Sequence, residues 1–152
     1  MTVVGGRDIR LALAESIGAS RTINYHKAGD FAAGVRQAAG RSSWPLIVES
    51  SGSAAALEST LALGDKEARI LVLGDYGQVR SGFPWNTLLH RELHLIGSNT
   101  GSGAWREAVR IAGSLPLAPL ITHRLPATEF TAALNIVRDR ASGSVKVVME
   151  WK

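Results

Sequence analysis

Residues 3–25 read VVGGRDIRLALAESIGASRTINY and indicate which fold the chain adopts. Val3 and Val4 belong to a short apolar run of the kind found in buried strands. Gly5 and Gly6 then allow a tight turn because neither carries a Cβ atom. A helix is expected to begin near Arg7, so the segment predicts a strand, a glycine turn and a helix.

The helix after the turn should extend from about Arg7 to Ile17. Ile9, Leu13 and Ile17 recur at spacings of four residues, and this pattern predicts that they form the apolar face of the helix. A second short strand is expected at residues 22–25. A strand, a helix and another strand in succession are typical of a parallel sheet.

The same alternation continues to the end of the chain, and it predicts an α/β fold with a doubly wound, Rossmann-like parallel sheet. Apolar runs predict the later strands, and helical stripes bounded by glycine or polar residues predict the later helices. The strands are expected near residues 46–49, 69–73, 93–97, 120–123 and 145–149. The helices are expected after Asp30 up to Gly40, around Leu57 and Leu61, and near residues 103–112 and 128–138.

Composition limits the classes of function. The 152 residues are 45% hydrophobic, contain no cysteine and carry a net charge of +4. No apolar run of about 18 residues predicts a membrane span, and no secretory signal is visible, so a cytoplasmic location is expected. The 17 Lys and Arg residues are scattered, which favours a nucleotide over nucleic acid as the anionic partner.

The glycine turn carries the first candidate site. In doubly wound sheets, a carboxylate after the second strand accepts hydrogen bonds from the ribose 2′-hydroxyl of NAD, whereas the 2′-phosphate of NADP requires an Arg there. This turn supplies Gly5, Gly6 and Arg7 without a carboxylate among them. Two simpler interpretations stay open: Arg7 as a solvated residue at a helix start, and Tyr25 as a packing aromatic.

The segment resembles the second half of the cofactor domain of zinc-type medium-chain alcohol dehydrogenases. NADP-preferring members of that family hold the 2′-phosphate with a Gly-(Ser/Gly)-Arg turn and a later Tyr, and Gly5, Gly6, Arg7 and Tyr25 match this pattern. The resemblance extends through nearly the whole chain. Its segments are IGASRTINY, IVESSGS, ARILVLG, LIGSNTGS, LITHRLP and SVKVVM.

Further cofactor contacts are expected at the carboxyl ends of the later strands, where ligands of open α/β sheets bind. This rule makes Ser51 a candidate contact, while the neighbouring Glu49 either points to solvent or lies in the site, with a structural role favoured. The resemblance implies that Gly74, Ser98 and Asn99 border the nicotinamide ring. It also implies that Lys146, in the closing strand, reaches the cofactor pyrophosphate.

The four histidines raise the question of a metal site. His90 and His94 would share one face of a helix, but the resemblance places His94 at the start of a strand, and no third ligand is evident. His26 and His123 are interpreted as surface or packing residues. No metal site is therefore expected in the chain.

The chain departs from the family in what it lacks. A complete member begins with a catalytic domain that carries the zinc ligands, followed by a first nucleotide-binding strand and a GxGxxG turn. Residues 1–152 are therefore interpreted as one partial dinucleotide-binding domain, in which about 115–152 form a tail returning towards an absent catalytic domain. The missing strand would leave a gap in the sheet. The strands on either side of it would close the gap, pair with another chain or stay frayed.

The leading hypothesis is the cofactor-binding part of an NADP-preferring, zinc-type alcohol or polyol dehydrogenase, with NAD possible as cofactor. The partners would be the dinucleotide, a small alcohol or carbonyl substrate, and a second copy that pairs through a sheet edge, but not nucleic acid or a membrane. The isolated chain should not be catalytically competent. The alternatives are a noncatalytic nucleotide-binding or interaction module and a zinc-free member similar to quinone reductases.

Overall fold

Strands and helices alternate along the chain in the computed structural model, which describes residues 1–77, 82–99, 101 and 103–151. The strands are β1 (Thr2–Gly5), β2 (Arg21–Asn24), β3 (Trp44–Glu49), β4 (Gly64–Val72), β5 (His94–Gly97), β6 (Ile121–Pro126) and β7 (Lys146–Glu150). The helices are α1 (Asp8–Ser16), α2 (Phe31–Ala39), α3 (Ala54–Leu63), α4 (Trp85–His90), α5 (Trp105–Ala112) and α6 (Phe130–Arg138). None of these helices is long and apolar enough to cross a membrane.

Every strand pair among the described residues is parallel, which confirms the predicted fold class. The strands form three sheets: β1 with β2, β3 with β4 and β5, and β6 with β7. Within the described part of the chain, β3 pairs on one side only, with β4, and β1 pairs only with β2. Each of these strands therefore keeps an edge to which a further strand could be added.

The chain divides into two compact units, of which the central one is contiguous and spans Lys27–Trp105. Its core is a cluster of four buried side chains from α3, β4 and the residue before β5: Leu61, Ala68, Ile70 and Leu93. Leu61 and Ile70 are completely inaccessible to solvent. This core fixes α3 against the three-stranded sheet and so places the loops at the ends of its strands.

The other unit combines Met1–His26 with residues 106–151. Its buried apolar side chains are Leu11 of α1, Ala19 in the loop before β2, Ile23 of β2 and Ala133 of α6. Arg10 of α1 joins the two segments because its Nη2 donates a hydrogen bond of 2.9 Å to the carbonyl oxygen of Ser144. The unit is therefore built from both ends of the chain.

The predicted apolar face of α1 was wrong at one position, since Leu13 and Ile17 are half-buried but Ile9 is not. Leu11 is buried with 6% of its surface exposed, whereas Ile9, which the pattern placed in the core, is 55% exposed. The reason is the close contact between α1 and the end of β1. A Cβ atom at Gly5 would lie only 3.1 Å from Leu11 Cδ2, so the helix turns the Leu11 side towards the strand.

Helix boundaries in the central unit follow local chemistry. Asp30 caps α2 because its Oδ1 accepts a hydrogen bond of 2.8 Å from the Ala33 N–H, and Gly40 ends α2 in the left-handed conformation with φ 61°. Two elements differ from expectation. Tyr25 begins a short 3-10 helix (Tyr25–Lys27) instead of ending β2, and α4 was not predicted.

Candidate functional site

The turn between β1 and α1 is closely packed. Arg7 has an extended backbone, with φ −126° and ψ 115°, and its carbonyl oxygen accepts hydrogen bonds of 3.1 Å from the N–H groups of Arg10 and Leu11. No side chain caps the start of α1. A Cβ atom at Gly5 would lie 3.1 Å from Leu11 Cδ2, so a side chain there requires a small shift of the Leu11 side chain.

Gly6 lies directly against the two rings that follow β2. A Cβ atom at Gly6 would be 2.6 Å from the Tyr25 hydroxyl oxygen and 2.9 Å from His26 Nε2. The Tyr25 and His26 rings are in contact, with centroids 4.3 Å apart and planes tilted by 46°. The structure therefore brings Gly6 and Tyr25 together, as the proposed phosphate pocket requires, and adds His26, which the sequence analysis had set aside.

Positive charge accumulates beside this turn. Burial lowers the pKa of the Arg10 guanidinium, and the neighbouring charge of Arg7 lowers it further. The two guanidinium groups therefore repel each other in the absence of an anion. The carboxylate of Asp8, next in the chain, accepts a hydrogen bond of 2.6 Å from Asn24 Nδ2 and so is already engaged.

Lys146 belongs to the same unit as the glycine turn. It is the first residue of β7, where it is the register partner of Ile121, and its side chain is exposed. Two residues earlier, the Ser144 carbonyl oxygen is bonded to Arg10 of α1. Arg10 lies within the first helical turn of α1. The bond therefore keeps the start of β7 near the N-terminal end of α1, where the glycine turn lies.

Glu49 forms the centre of a second group of residues at the end of β3. Its side chain is only 4% exposed, and Oε1 accepts hydrogen bonds from the Ser51 N–H, at 2.8 Å, and from the Ser51 hydroxyl. Oε2 accepts a hydrogen bond from the Tyr76 hydroxyl. Burial acts to raise the pKa of the Glu49 carboxyl, but the hydrogen bonds from Ser51, Tyr76 and the Gly52 N–H prevail and lower it. Glu49 therefore organises this loop as a buried anion, in agreement with the favoured structural role.

Gly74 follows β4 and touches the loop after β3 through its backbone. A Cβ atom at Gly74 would be 2.3 Å from the Gly52 nitrogen and 2.6 Å from Glu49 Oε2. Gly52 is in the left-handed conformation with φ 70°, and a Cβ atom there would be 2.4 Å from the Asp75 carbonyl oxygen. Neither position can accept a side chain without moving the backbone of the other loop.

Ser98 and Asn99 lie just beyond β5. The Ser98 N–H donates a hydrogen bond of 3.1 Å to the Val72 carbonyl oxygen and so extends the pairing of β5 with β4. Both side chains are exposed. Ser51, Gly74 and Ser98 therefore lie at the carboxyl ends of three neighbouring strands, the position at which open parallel sheets bind ligands.

A pocket of about 260 Å³ lies in the same unit, beside Tyr76. Its walls are the side chains of Ala54, Leu57, Glu58, Tyr76, Phe83, Trp85 and Leu95. Most of these groups are apolar, so the pocket suits a flat or aliphatic group better than a charged one.

The histidines show no arrangement suited to a metal ion. His90 ends α4 and His94 begins β5, so the two imidazoles do not share one face of a helix. In residues 1–77, 82–99, 101 and 103–151, no group of three or more His, Asp or Glu side chains is placed to hold a metal. The residues described here therefore do not fit a zinc ion.

The sequence of the chain is similar to those of a known protein family. The sequence model for "Zinc-binding dehydrogenase" matches residues 1–114. The chain is 32% identical over 143 residues to the erythritol/L-threitol dehydrogenase of Mycolicibacterium smegmatis, a match that covers 91% of this chain and 38% of that protein.

Solved structures agree with the fold. A short chain alcohol dehydrogenase from E. coli CFT073, complexed with NADH, superimposes with a TM-score of 0.84 at 20% identity, over 97% of this chain and 43% of the other. A zinc-binding dehydrogenase from Sinorhizobium meliloti 1021, bound to NADP, gives a TM-score of 0.76 at 23% identity, over 98% and 44% of the two chains. The chain spans less than half the length of the curated relatives it matches. With three quarters of its residues matched by the family's sequence model, the chain belongs to the zinc-binding dehydrogenase family.

Proposed function

We propose that the chain is the dinucleotide-binding part of a zinc-type alcohol or polyol dehydrogenase and that it prefers NADP to NAD. The whole protein would move a hydride between a substrate C–OH carbon and the nicotinamide ring, which supplies the redox chemistry when bound. Zinc would belong to a part of the protein that this chain does not contain. The observation that carries the proposal is the close contact of Tyr25 with Gly6, the residue next to Arg7 in the turn.

The charges around the turn favour a phosphate over a ribose hydroxyl. Arg7 can donate a charge-assisted pair of hydrogen bonds to a 2′-phosphate, and the Tyr25 hydroxyl can donate another. The phosphate would also relieve the repulsion between Arg7 and Arg10 that helps to lower the Arg10 pKa. The Asp8 carboxylate, next in the chain, accepts a hydrogen bond from Asn24 Nδ2, which competes with hydrogen bonds from a ribose.

The remaining candidates would hold the rest of the cofactor. Gly74 lets a flat ring approach the backbone closely, and Ser51, Ser98 and Asn99 supply hydrogen-bonding groups around it. Lys146 supplies a positive charge for the pyrophosphate, which suits its place in the same unit as Arg7. These assignments are part of the proposal.

Self-association through a sheet edge completes the proposal. Among the residues that the structure describes, β3 pairs only with β4, and two of its side chains, Leu46 and Val48, are 60% and 54% exposed. An apolar strand edge of this kind is a template for pairing with another chain. A second copy of the protein would supply that strand.

Removing Arg7 tests the cofactor preference. In the parent chain we expect NADP to bind at least about tenfold more tightly than NAD, because charge-assisted hydrogen bonds to the phosphate are lost with NAD. Arg7→Ala should abolish the difference by weakening NADP alone. Calorimetric dissociation constants for both cofactors measure this, with Arg138→Ala as a control that removes an exposed positive charge from α6.

A second variant should reverse the cofactor preference, so that NAD binds more tightly than NADP. Gly5→Asp adds a carboxylate that repels the phosphate and can accept hydrogen bonds from the ribose hydroxyls of NAD, so NAD should become the tighter ligand. Leu11 has to move by a few tenths of an ångström to admit the new side chain, because the Cβ position is 3.1 Å from Leu11 Cδ2. Equal affinities for NADP and NAD in the parent would contradict the proposed preference.

Catalysis by the chain alone is a separate prediction. The described residues do not fit a zinc ion, and zinc is what polarises the alcohol oxygen in this chemistry. We therefore expect no turnover of alcohols or polyols with either nicotinamide cofactor, whether or not zinc is added. Absorbance of the reduced nicotinamide measures the rate, and sustained zinc-dependent turnover would show that the catalytic groups lie in this chain after all.

A further inference from the structure

Glu49 holds the loop after β4 at two separate points. Where the loop leaves the strand, the Glu49 carbonyl oxygen accepts hydrogen bonds from the N–H groups of Leu73, at 2.8 Å, and Gly74, at 3.3 Å. Further along the loop, Glu49 Oε2 accepts a hydrogen bond from the Tyr76 hydroxyl. A single residue at the end of β3 therefore binds the start of the loop with its backbone and Tyr76 with its side chain.

Between these two points, the backbones of the loops after β3 and β4 are in direct contact. A Cβ atom at Gly74 would be 2.7 Å from Gly52 Cα, and a Cβ atom at Gly52 would be 2.4 Å from the Asp75 carbonyl oxygen. Backbone packed this closely leaves the loop after β4 free to move only away from the loop after β3. The bond from Tyr76 to Glu49 opposes that movement.

The bond between Tyr76 and Glu49 joins a proton donor that stays protonated to an acceptor that is already fixed. The Glu49 carboxylate is buried, and its Oε1 is held by the N–H and the hydroxyl of Ser51. Burial, followed by the hydrogen bond to Glu49 and the charge of its carboxylate, raises the pKa of the Tyr76 hydroxyl above its ordinary value of 10.0. The hydroxyl therefore keeps its proton at neutral pH, and its hydrogen bond to an ionised acceptor is of the strong kind.

We propose that Tyr76 is a positioning residue of the cofactor site, because its bond to Glu49 keeps the loop after β4 where the nicotinamide half of the dinucleotide binds. This inference rests on the proposed function, in which Gly74 and Ser51 border the nicotinamide ring. Tyr76 acts through the loop and not by touching the cofactor. The apparent affinity for the dinucleotide therefore falls with the fraction of molecules in which the loop is held.

A positioning role for Tyr76 predicts which ligands lose affinity when its hydroxyl is removed. NAD and NADP share the nicotinamide half, so both should weaken by the same factor and their affinity ratio should not change. Adenosine 2′,5′-bisphosphate has the 2′-phosphate but no nicotinamide, so its affinity should not change. Its proposed ligand Arg7 belongs to the other compact unit of the chain, whereas Tyr76 and Glu49 belong to the central one.

The test compares the parent chain with Tyr76→Phe, which removes the hydroxyl and keeps the ring that lines the pocket beside Leu57 and Phe83. We expect the dissociation constants of NAD and NADP, measured by calorimetry, to rise by about fivefold each. That of adenosine 2′,5′-bisphosphate should stay at the parent value. Ser59→Ala is the control, since it removes a hydroxyl that bonds within α3 to the Ala55 carbonyl oxygen, and it should bind all three ligands as the parent does.

The possible results separate the role of Tyr76 from the proposed function. If Tyr76→Phe unfolds at a lower temperature but binds NAD and NADP as the parent does, the hydroxyl serves the fold alone. The positioning role is then overturned and the proposed function stands. An equal loss of affinity for adenosine 2′,5′-bisphosphate would also overturn the positioning role, because it would reveal general damage to the protein. If the parent binds neither dinucleotide, the proposed function fails and the role of Tyr76 fails with it.

Discussion

Gly74→Ala is expected to lower the free energy of unfolding by about 3 kcal/mol, because its methyl group would overlap the backbone of another loop. The added Cβ atom would be 2.3 Å from the Gly52 nitrogen and 2.7 Å from Gly52 Cα, and these atoms cannot turn aside as a side chain can. It would also be 2.6 Å from Glu49 Oε2. The loops after β3 and β4 would have to separate, which would open the proposed nicotinamide side of the site.

Gly97→Ala is the matched control for this substitution. Gly97 ends the neighbouring strand β5, and a Cβ atom there would meet nothing within 4 Å. Urea unfolding should show a loss of less than about 0.5 kcal/mol for Gly97→Ala, as is usual for unhindered surface sites. Equal stability of the two variants would mean that the loops do not approach each other as described.

Glu49→Ala should be similarly damaging, with a loss of about 3 kcal/mol in the free energy of unfolding. The Glu49 side chain is only 4% exposed, and it accepts hydrogen bonds from the Ser51 N–H and hydroxyl and from the Tyr76 hydroxyl. Its removal deprives these donors of their acceptor and leaves a cavity between the two loops. Glu58→Ala, on the exposed side of α3, removes a carboxylate that makes no comparable set of bonds and should cost much less. Thermal and urea unfolding of both variants at neutral pH measure the difference.

The contribution of Glu49 to the free energy of unfolding should decrease at low pH. Hydrogen bonds lower its pKa in the folded protein below the ordinary value of 4.5, so the folded state favours the ionised form. The stabilisation is therefore complete above pH 4.5 and is lost as the pH falls through the lower, folded-state pKa. Acid unfolding of the parent should become steeper in this range than that of Glu49→Gln, which has no charge to lose. Parallel acid curves for the two proteins would contradict this account.

Sequence patterns predicted the fold and several helix ends, but not every side-chain contact. Asp30 and Gly40 mark the ends of α2 because capping and left-handed conformations are set by local chemistry. The buried face of α1 was misjudged because Ile9 fits a helical stripe as well as Leu11 does. Only the contact of Leu11 with Gly5 of β1 determines which of them is buried.

The partners of the site residues were harder to foresee. Tyr76 bonds to Glu49 across 27 positions of sequence, and no spacing rule connects a residue in one loop with a residue in another. One sequence feature pointed to His26 as a neighbour of the glycine turn, namely its position next to Tyr25, a predicted site residue. Its approach to Gly6 follows from the 3-10 helix that replaces the expected end of β2, and short helices of this kind have weak sequence signatures.

The unit that carries the glycine turn has a consequence for how the protein is made. Met1–His26 is synthesised before Lys27–Trp105, but the segment that completes its unit begins only at residue 106. The central unit, Lys27–Trp105, is contiguous and can fold while the tail is still being synthesised. The bond from Arg10 to Ser144 joins residues 134 positions apart. It cannot form until Ser144 has been synthesised. The turn proposed to recognise NADP is thus translated before the central unit but completed after it.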